Sequence, residues 1–344
     1  MTISKVNTEV AVVLCTYNGA THIQAQLNSL ARQTTPADIF VFDDQSNDNT
    51  RELIEAHVLS HTCLHIHSNK TNLGYVANFA KGIEHVLKLG YRYIALSDQD
   101  DLWHPEKIEI ALTLLHEQEQ ISGEDTPLLS HSDLSMIDAN GDLVHSSFFK
   151  YRQYEIDERK NLAIVLGQNG VMGNTVLMNR ALARLALPFP EGIHVHDYWL
   201  ALIAELFGHR LLLKNPMVQY RIHENNVSNS TTSVRFGIEK WLSEKSWLGF
   251  VRRDYRLPFK EDSRVAGINK LLETDNGLPA LTAQQRELIA LFKDYLTLAQ
   301  SRPKLYLTML KNGFFRKGGA HRLRLLYSIL LTKRYSTSDS TPTE

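Results

Sequence analysis

The stretch Tyr93-Ile-Ala-Leu-Ser-Asp-Gln-Asp-Asp-Leu-Trp103 places three carboxylates directly after a short apolar run. The run from Tyr93 to Leu96 predicts a buried strand, and the following Pro105-Glu106 pair predicts the first turn of a helix. The acidic residues therefore lie in the turn between a strand and a helix. In open α/β sheets, ligands bind in the crevice at the carboxyl ends of the strands. This turn is the first candidate for a ligand site.

The acidic turn has two interpretations. Asp98 and Asp100 are two residues apart, so in locally extended backbone their side chains point the same way and can share one cation. Oxygen ligands of this kind suit Mg²⁺ or Mn²⁺, which in turn bind phosphates. The alternative is a solvated acidic turn, or an Asp101 that merely caps the following helix. The spacing alone leaves both interpretations open.

Composition limits the class of protein. The chain has 344 residues, is 43% hydrophobic and carries a formal net charge of -1, which is typical of a soluble globular protein with one large domain and a smaller one. This charge gives no reason to expect nucleic-acid binding. With only Cys15 and Cys63 as cysteines, we expect no disulfide framework and a reducing cytoplasm. The N-terminus lacks a signal-like apolar segment, and no apolar run reaches the ~18 residues of a membrane span, so we expect neither export nor a membrane crossing.

Two β/α units begin the chain. Val10–Leu14 and Ile39–Phe42 are continuous apolar runs, as expected for strands buried on both faces of a parallel sheet. The first run leads into Thr16-Tyr17-Asn18, and the second leads into Asp43-Asp44-Gln45-Ser46. Further strands are predicted at residues 63–67, 93–96, 128–133, 176–178 and 217–222. Together these patterns predict a doubly wound α/β sheet whose strands end in polar residues.

The pattern changes near residue 231, where strands give way to helical segments such as Phe236–Val251 and Thr282–Leu298. Thr282 and Gln285 predict a capping box. The predicted buried stripe of that helix consists of Leu288, Leu291, Phe292, Tyr295 and Leu298. We therefore predict three regions: an α/β domain over 1–230, a helical region over 231–335 and a disordered Ser/Thr-rich tail over 336–344.

The segment from Arg302 to Arg334 contains nine basic residues and no acidic residue, interleaved with apolar and aromatic side chains. Such a surface is expected to bind an anionic membrane face, where each charge contributes ~1 kcal/mol. The alternative is a helical bundle whose apolar side is core and whose charges face solvent.

Common phosphate and nucleophile motifs are absent from the sequence. Neither G-x-G-x-x-G nor G-x-x-x-x-G-K-[ST] occurs, and there is no G-x-S-x-G. The polar strand ends suit a nucleoside diphosphate bound through a metal, with Tyr17 against the base, Asp44 accepting from a base imide N–H and Asp100 holding the metal. The plainer alternatives are turn residues for Thr16 and Asn18 and a helix-end carboxylate for Asp44. The four histidines His57, His61, His65 and His67 spread over a helix end and a strand, which disfavours a shared zinc site.

Five motifs occur in a characteristic order. They are Thr16-Tyr17-Asn18, residues 43–48, Asn72-Leu73-Gly74, residues 98–107 and His196-Asp197-Tyr198-Trp199. Over about residues 8–230 this order resembles the family 2 inverting glycosyltransferases of the GT-A fold. The resemblance implies a Rossmann-like α/β fold, with a mixed, mostly parallel sheet flanked by helices and followed here by a C-terminal helical extension. Residues 97–103, taken together with 220–226, are most similar to the bacterial rhamnosyltransferases of cell-wall and O-antigen polysaccharide assembly.

The resemblance also implies a set of site residues. The donor nucleotide sugar is assigned to Thr16, Tyr17, Asn18, Asp44, Asn72, Asp98 and Arg221. A divalent metal, Mg²⁺ or Mn²⁺, is assigned to Asp98, Asp100 and His223. The acceptor side is assigned to Gly173, Asn174, Trp199 and Trp103, and residues 170–175 are similar to the acceptor loop of the family. Because inverting transfer needs a base on the acceptor hydroxyl, Asp197 matches the catalytic carboxylate; it can cap the helix before Tyr198 as well. His194 and His196 are expected to position or pack.

The sequence departs from the family pattern at two points. Gln45 stands in the second motif where Gly is commoner, which leaves the turn's backbone less free. The Gln-x-x-Arg-Trp run of processive synthases is not seen, so we expect transfer of single residues.

The leading hypothesis is a metal-dependent inverting glycosyltransferase that moves a sugar, best guess L-rhamnose from dTDP-rhamnose, to a lipid-linked bacterial oligosaccharide. We expect it to act at the inner face of the cell membrane, bound peripherally to an anionic surface. One alternative is a nucleotidyltransferase that makes a nucleotide sugar, although the sequence lacks a Gly-rich basic triphosphate loop. The other is a non-catalytic glycan-binding scaffold of the same pathway.

Overall fold

The computed structural model describes residues 8–58, 63–152, 154, 161–223, 264–297 and 299–314. The strands in these residues are β1 (Val10–Thr16), β2 (Asp38–Asp43), β3 (Leu64–Ser68), β4 (Tyr93–Ser97), β5 (Leu102–Trp103), β6 (Leu128–Ile137), β7 (Leu143–His145), β8 (Leu177–Asn179) and β9 (His209–Arg221). The helices are α1 (Ile23–Ala31), α2 (Thr50–Val58), α3 (Tyr75–Lys88), α4 (Lys107–Ser122), α5 (Phe148–Arg152), α6 (Leu162–Gln168), α7 (Arg180–Ala186), α8 (His196–Phe207), α9 (Arg264–Leu272), α10 (Ala283–Leu296) and α11 (Arg302–Asn312).

The described strands form one sheet in the order β3-β2-β1-β4-β8-β6-β9-β5, and β7 pairs with β6. The first four strands are parallel to one another. β8 runs antiparallel to both β4 and β6, and β6 is parallel to β9. β9 therefore runs in the same direction as β1, β2 and β4. The carboxyl ends of these four strands meet at one edge of the sheet.

Both faces of the sheet are covered by helices. Alternate residues of β1 belong to different cores: Val13 packs with α3 and α8 on one face, while Val12 and Leu14 pack with α1 and α4 on the other. A strand buried on both faces has to be apolar throughout, and all seven residues of β1 are buried. The predicted α/β fold with a mixed, mostly parallel sheet is confirmed.

Two strands are longer than the sequence predicts. β6 continues to Ile137, and β9 begins at His209. The two strands pair over most of their length, with a shift of register between Ser132 and Leu134. Pro216 interrupts the apolar pattern of β9, because proline cannot donate to a ladder and normally marks a strand end or an irregularity.

Helix α10 confirms one prediction and corrects another. Its capping box between Thr282 and Gln285 is present. The fully buried residues of the helix are Ile289, Phe292 and Leu296. The predicted Leu288, Leu291 and Tyr295 pack only at the margin of the core, and Leu298 lies outside the described residues. The buried face is thus rotated relative to the predicted stripe.

The described helices after residue 263 share a core with the α/β domain. Ile268, Phe292 and Met309 belong to the same apolar cluster as the residues of α6 and α8. Gln285 Nε2 also donates to the carbonyl oxygen of Leu206 at 3.2 Å. The described part of the helical region is therefore packed directly against the α/β domain.

Helix α11 is the part of the basic segment that the structure describes. Leu305 and Met309 are buried, whereas Lys304 and Lys311 are exposed, as expected for a bundle helix whose apolar side is core. The predicted boundary near 230, the helix at 236–251, the basic residues from 316 to 334 and the tail at 336–344 lie outside the described residues. Within the described ranges, no helix combines the length and the apolarity needed to span a bilayer.

Asn179 joins the central strands to the neighbouring helices through side-chain hydrogen bonds. Its Oδ1 accepts from the backbone of Leu128 and Leu182, and its Nδ2 donates to Glu119 and Thr126, all within a buried site. Asn179→Ala would leave several of these groups without a partner, and each costs about 1–3 kcal/mol. We expect a loss of roughly 3 kcal/mol or more in the free energy of unfolding, measured by urea denaturation.

Asn161 provides the matched control, because it also caps a seven-residue helix and its side chain accepts from Ile164 N at 3.2 Å. Asn161→Ala should cost only ~1 kcal/mol, the usual value of an N-cap. Equal losses in the two variants would contradict a special role for Asn179.

Candidate active site

Gln99 joins the ends of β1 and β4. Its Oε1 accepts from Thr16 Oγ1 at 2.7 Å and from Tyr17 N at 2.8 Å, and its Nε2 donates to Tyr17 O at 3.2 Å. A Cβ at Gly19 would stand 2.4 Å from the same Oε1, so this position leaves no room for a side chain. The sequence did not single out Gln99, because an amide between two aspartates gives no signal of its partner.

Asp44 holds the loop that follows β3. Its buried carboxylate accepts from Asn69 Nδ2 at 2.7 Å, Leu73 N at 2.8 Å and Gly74 N at 2.8 Å. A carboxylate has about four acceptor positions, so one remains for another donor. The predicted contact of Asp44 with a nucleotide base stays a prediction. Tyr17 is 46% exposed at the end of β1 and free to contact a planar ligand.

Gln45 occupies a left-handed backbone conformation, with φ 68°. Its side chain compensates for that conformation, since Oε1 accepts from Asn72 N at 3.0 Å and Nε2 donates to Lys70 O at 3.2 Å. Asn72 Nδ2 in turn donates to the carbonyl of Asp44 at 3.0 Å. Asn18, with φ 50°, accepts from Asn47 N at 2.9 Å. The loops after β1, β2 and β3 are therefore linked into one rim.

Asp101 is fully buried and does not cap α4, so that interpretation of the acidic turn is wrong. Its carboxylate accepts from Asn174 Nδ2 and from Arg221 N, the latter at 3.1 Å. Burial is the main cause that raises the pKa of Asp101 well above its usual value. Asp101 ties the acidic turn to β9 and to the 3-10 turn Gly173–Thr175.

Arg221 fixes the end of β9 against the acidic turn. Its guanidinium donates to the carbonyl oxygens of Asp100, Asp138 and Ala139 at 3.0–3.1 Å. Arg221 is 5% exposed, which gives it a structural role; its predicted contact with a diphosphate stays a prediction.

Asp100 and His223 form a direct pair. His223 Nε2 lies 2.8 Å from Asp100 Oδ2. The ring of His22, which the sequence did not single out, lies 5.4 Å from the ring of His223. In the part of the chain that the structure describes, no three His, Cys, Asp or Glu side chains are arranged to hold a metal. The predicted metal set of Asp98, Asp100 and His223 stays a prediction: Asp100 and His223 are in contact, and Asp98 is near enough to Asp100 for their charges to interact.

Asp98 lies between other carboxylates. Burial first, and then the charges of Asp100 and Asp197, raise the pKa of Asp98 to about 7. Like charges brought together in this way favour a bound cation or a proton. Mg²⁺ is usually held by one or two protein carboxylates together with waters and substrate phosphates, so the Asp100–His223 pair beside Asp98 is a chemically suitable place for such an ion.

Asp197 lies in the first turn of α8, where the helix dipole favours an anion. Its Oδ1 accepts from Asn169 Nδ2 at 3.0 Å, and its Oδ2 accepts from Gly173 N at 3.1 Å. Burial raises the pKa of Asp197 to about 6, even though these hydrogen bonds act in the opposite direction. The charge of Asp197 also contributes to the raised pKa of Asp98, so the two carboxylates belong to one electrostatic neighbourhood.

Comparison with known proteins identifies the first part of the chain. Residues 11–123 match the sequence model of Glycosyl transferase family 2. These residues form a family 2 glycosyltransferase domain. A 105-residue segment, 30% of this chain, is 37% identical to the dTDP-rhamnosyl transferase RfbG of Shigella flexneri and spans 36% of that protein.

Solved structures share the fold of this glycosyltransferase. TarS residues 1–349 of S. aureus, in complex with UDP-GlcNAc, has a TM-score of 0.57 at 16% identity, covering 93% of this chain and 87% of that one. The mannosyltransferase PcManGT of Pyrobaculum calidifontis, in complex with GDP-Man and Mn²⁺, has a TM-score of 0.54 at 15% identity, covering 93% and 79%. At these identities the likeness confirms the GT-A fold alone.

The residues assigned to the acceptor side occupy different environments, and acceptor contact by Gly173 and Asn174 stays a prediction. Gly173 lies against Asp197, and Asn174 is buried on Asp101. Trp199 is 2% exposed and donates from Nε1 to Ala186 O at 2.8 Å. Trp103 is 4% exposed, with Lys107 Nζ 3.1 Å from its ring centroid. Both indoles are core groups, so their assignment to acceptor contact is corrected to packing.

The histidines pack against aromatic rings. His65 stacks on Phe40 at 4.7 Å and His67 on Phe42 at 4.9 Å. Burial lowers the pKa of His67 to about 4, which fits a neutral packed ring. His196 stacks on Phe79 at 4.4 Å, consistent with the packing role expected for it. His61 lies outside the described residues.

The raised pKa of Asp197 predicts a pH-dependent cost to stability. The folded-state value of about 6 exceeds the ordinary 3.8, so the native state holds the proton more tightly and stability falls as pH rises from about 4 to 6. Asp197→Asn removes this dependence. The stability of the variant relative to the native sequence should therefore rise by about 2 kcal/mol between pH 4.5 and pH 8, measured by urea unfolding.

Because the variant is compared at two pH values, the free energy of any hydrogen bond that it lacks at both values cancels. Asp142→Asn, an exposed turn carboxylate, controls for loss of one surface charge. If the stability of Asp197→Asn relative to the native sequence is the same at both pH values, the raised pKa of Asp197 is contradicted.

Proposed function

We propose that this chain is a metal-dependent inverting glycosyltransferase, which moves a sugar from a nucleoside-diphosphate donor to a hydroxyl of a bacterial surface polysaccharide. The observation that carries the proposal is the position of Asp197. Its carboxylate accepts from Asn169 and Gly173, and its charge acts on Asp98 in the acidic turn, next to the Asp100–His223 pair. These observations support a base close to a donor site.

The donor side is supported by the chemistry of its groups. Asp100 and His223 would hold the divalent cation, with Asp98 close by. When bound, the cation would neutralise charge that develops on the departing diphosphate. Tyr17 offers an exposed ring to the base, while the rim linked by Gln45 and Asn72 borders the same strand ends.

Asp197 acts as the general base. A pKa of about 6 leaves it mostly ionised at neutral pH while keeping it close enough to that pH to accept a proton efficiently. As the acceptor oxygen bonds to the anomeric carbon, its proton passes to Asp197. The bond from that carbon to the diphosphate oxygen breaks, the diphosphate keeps the electron pair, and the anomeric configuration inverts. His196 does not compete for the proton, because burial lowers its pKa to about 4.

The sugar and the acceptor are finer parts of the proposal. L-Rhamnose from dTDP-rhamnose is supported by the Shigella relative, which is named a dTDP-rhamnosyl transferase. We propose a lipid-linked oligosaccharide as acceptor, at the inner face of the membrane. The basic composition of residues 302–334 supports a contact with anionic lipid, and in α11 Lys304 and Lys311 remain exposed.

Two substitutions separate donor binding from transfer. Asp197→Asn should retain the increase in melting temperature that dTDP and Mn²⁺ produce together, because the base lies outside the donor site. Its rate of dTDP release from dTDP-rhamnose, with bacterial membrane lipid as acceptor source, should fall on the order of 10²–10⁴-fold. Asp100→Asn should lose both the transfer and the Mn²⁺-dependent part of the thermal shift.

Asp142→Asn is the matched control and should behave as the native sequence in both assays. Transfer within a few-fold of the native rate in Asp197→Asn would exclude it as the base. A thermal shift with dTDP that is unaffected by Mn²⁺ or by Asp100→Asn would exclude the proposed metal site.

A further inference from the structure

We propose that Asn169 is a positioning residue for the transfer reaction, which holds the carboxylate of Asp197 in the orientation that receives the acceptor hydroxyl. The inference rests on the proposed role of Asp197 as base. No sequence motif pointed to Asn169, and its role follows from three features of the geometry.

The first feature is the backbone of Asn169. It is the C-cap of α6 and has φ 49° and ψ 102°, with its backbone N–H donating to Val165 O at 3.2 Å. A positive φ favours Gly, Asn and Asp over other residues. The end of α6 therefore restricts this position to a short list of residues.

The second feature is the orientation of the amide. Asn169 Oδ1 accepts from Val171 N at 3.2 Å, which turns Nδ2 toward Asp197 Oδ1 at 3.0 Å. Among Gly, Asn and Asp, only Asn has an N–H donor in its side chain. The position thus combines a left-handed turn with a donor to a carboxylate, and only Asn meets both requirements.

The third feature is a rigid frame between the two residues. Tyr198, next to Asp197, donates from its hydroxyl to Leu166 O at 3.0 Å, so α8 is bonded to α6 just before Asn169. Gly173 N holds the other oxygen of Asp197. Asn169 and Gly173 therefore donate to different oxygens of Asp197, and the backbone of Tyr198 is a further hydrogen-bond partner of this carboxylate.

The groups around Asp197 show why a neutral donor matters. Asp98 at the end of β4 and Tyr75 on α3 are its electrostatic neighbours across the crevice, while His194 and His196 precede it on its own segment. Asn169 supplies a donor without adding charge. A hydrogen bond to the ionised form favours that form, so Asn169 counteracts the burial of the base.

The test is the isosteric change Asn169→Asp. An aspartate keeps the left-handed turn and the acceptor for Val171 N, but it removes the donor and sets a second carboxylate against Asp197. Since hydrogen bonds to charged groups are the strong class, we expect kcat to fall roughly 10- to 100-fold, with KM for the donor within about twofold. The acidic limb of the pH–rate profile should move to higher pH. Asn169→Gly should also lower kcat, with a smaller displacement of that limb.

Asn161→Asp is the control, because Asn161 lies at the other end of the same helix and its side-chain oxygen, which an aspartate retains, accepts from Ile164 N. It should leave kcat and the pH profile unchanged. A native kcat in Asn169→Asp would overturn the proposal. So would a lower kcat that is accompanied by a lower melting temperature while the acidic limb of the pH–rate profile stays in place. If Asp197→Asn is inactive and Asn169→Asp is native-like, only the positioning role fails. If Asp197→Asn is active, the proposed function itself fails.

Discussion

The buried carboxylate of Asp101 is the interaction on which the site depends. It accepts from Asn174 in the 3-10 turn and from the backbone of Arg221 at the end of β9. Arg221 then binds the carbonyl of Asp100, and His223, two residues later, reaches the Asp100 carboxylate. A buried carboxylate is costly unless it is paired and hydrogen-bonded. Here its bonds join the acidic turn, strand β9 and the 3-10 turn Gly173–Thr175.

The site concentrates negative charge in a way that opposes stability. Asp98 is surrounded by Asp100 and Asp197, and burial adds to the mutual repulsion. Proteins retain such unfavourable groups where function requires them. A bound cation between these carboxylates would relieve the repulsion, whereas the neutral amides of Gln99, Asn169 and Asn174 stabilise the loops without adding to it. The preference for amides over further charges follows from this electrostatic constraint.

The sequence predicts the part of the fold that depends on local pattern. Continuous apolar runs predict β1, β2 and β4, and the polar residues after them predict the crevice, because parallel strands end at one edge. β6 and β9 were predicted too short, since Pro216 and the register shift break the pattern that identifies a strand. The face of α10 was misplaced because the residues that cover it come from distant segments.

The sequence predicts site residues less well than strands. Trp199 is close to Asp197 in sequence, but successive helical residues are ~100° apart, so a side chain two positions away points into the core. The amides of Gln99 and Asn169 have roles that depend entirely on tertiary partners, Thr16 for one and Asp197 for the other. Gln45 is an intermediate case: its motif is recognisable, but the bonds that stabilise its left-handed turn are visible only in the structure.

The most direct measurement of the central claim is anomalous diffraction from crystals of the chain grown with Mn²⁺ and dTDP. We expect a manganese peak bound by Asp100 and His223, with the diphosphate between that ion and Asp197. Nucleotide bound at the sheet edge without manganese at this pair, or manganese bound elsewhere, would contradict the account of a metal-dependent donor site opposite a catalytic base.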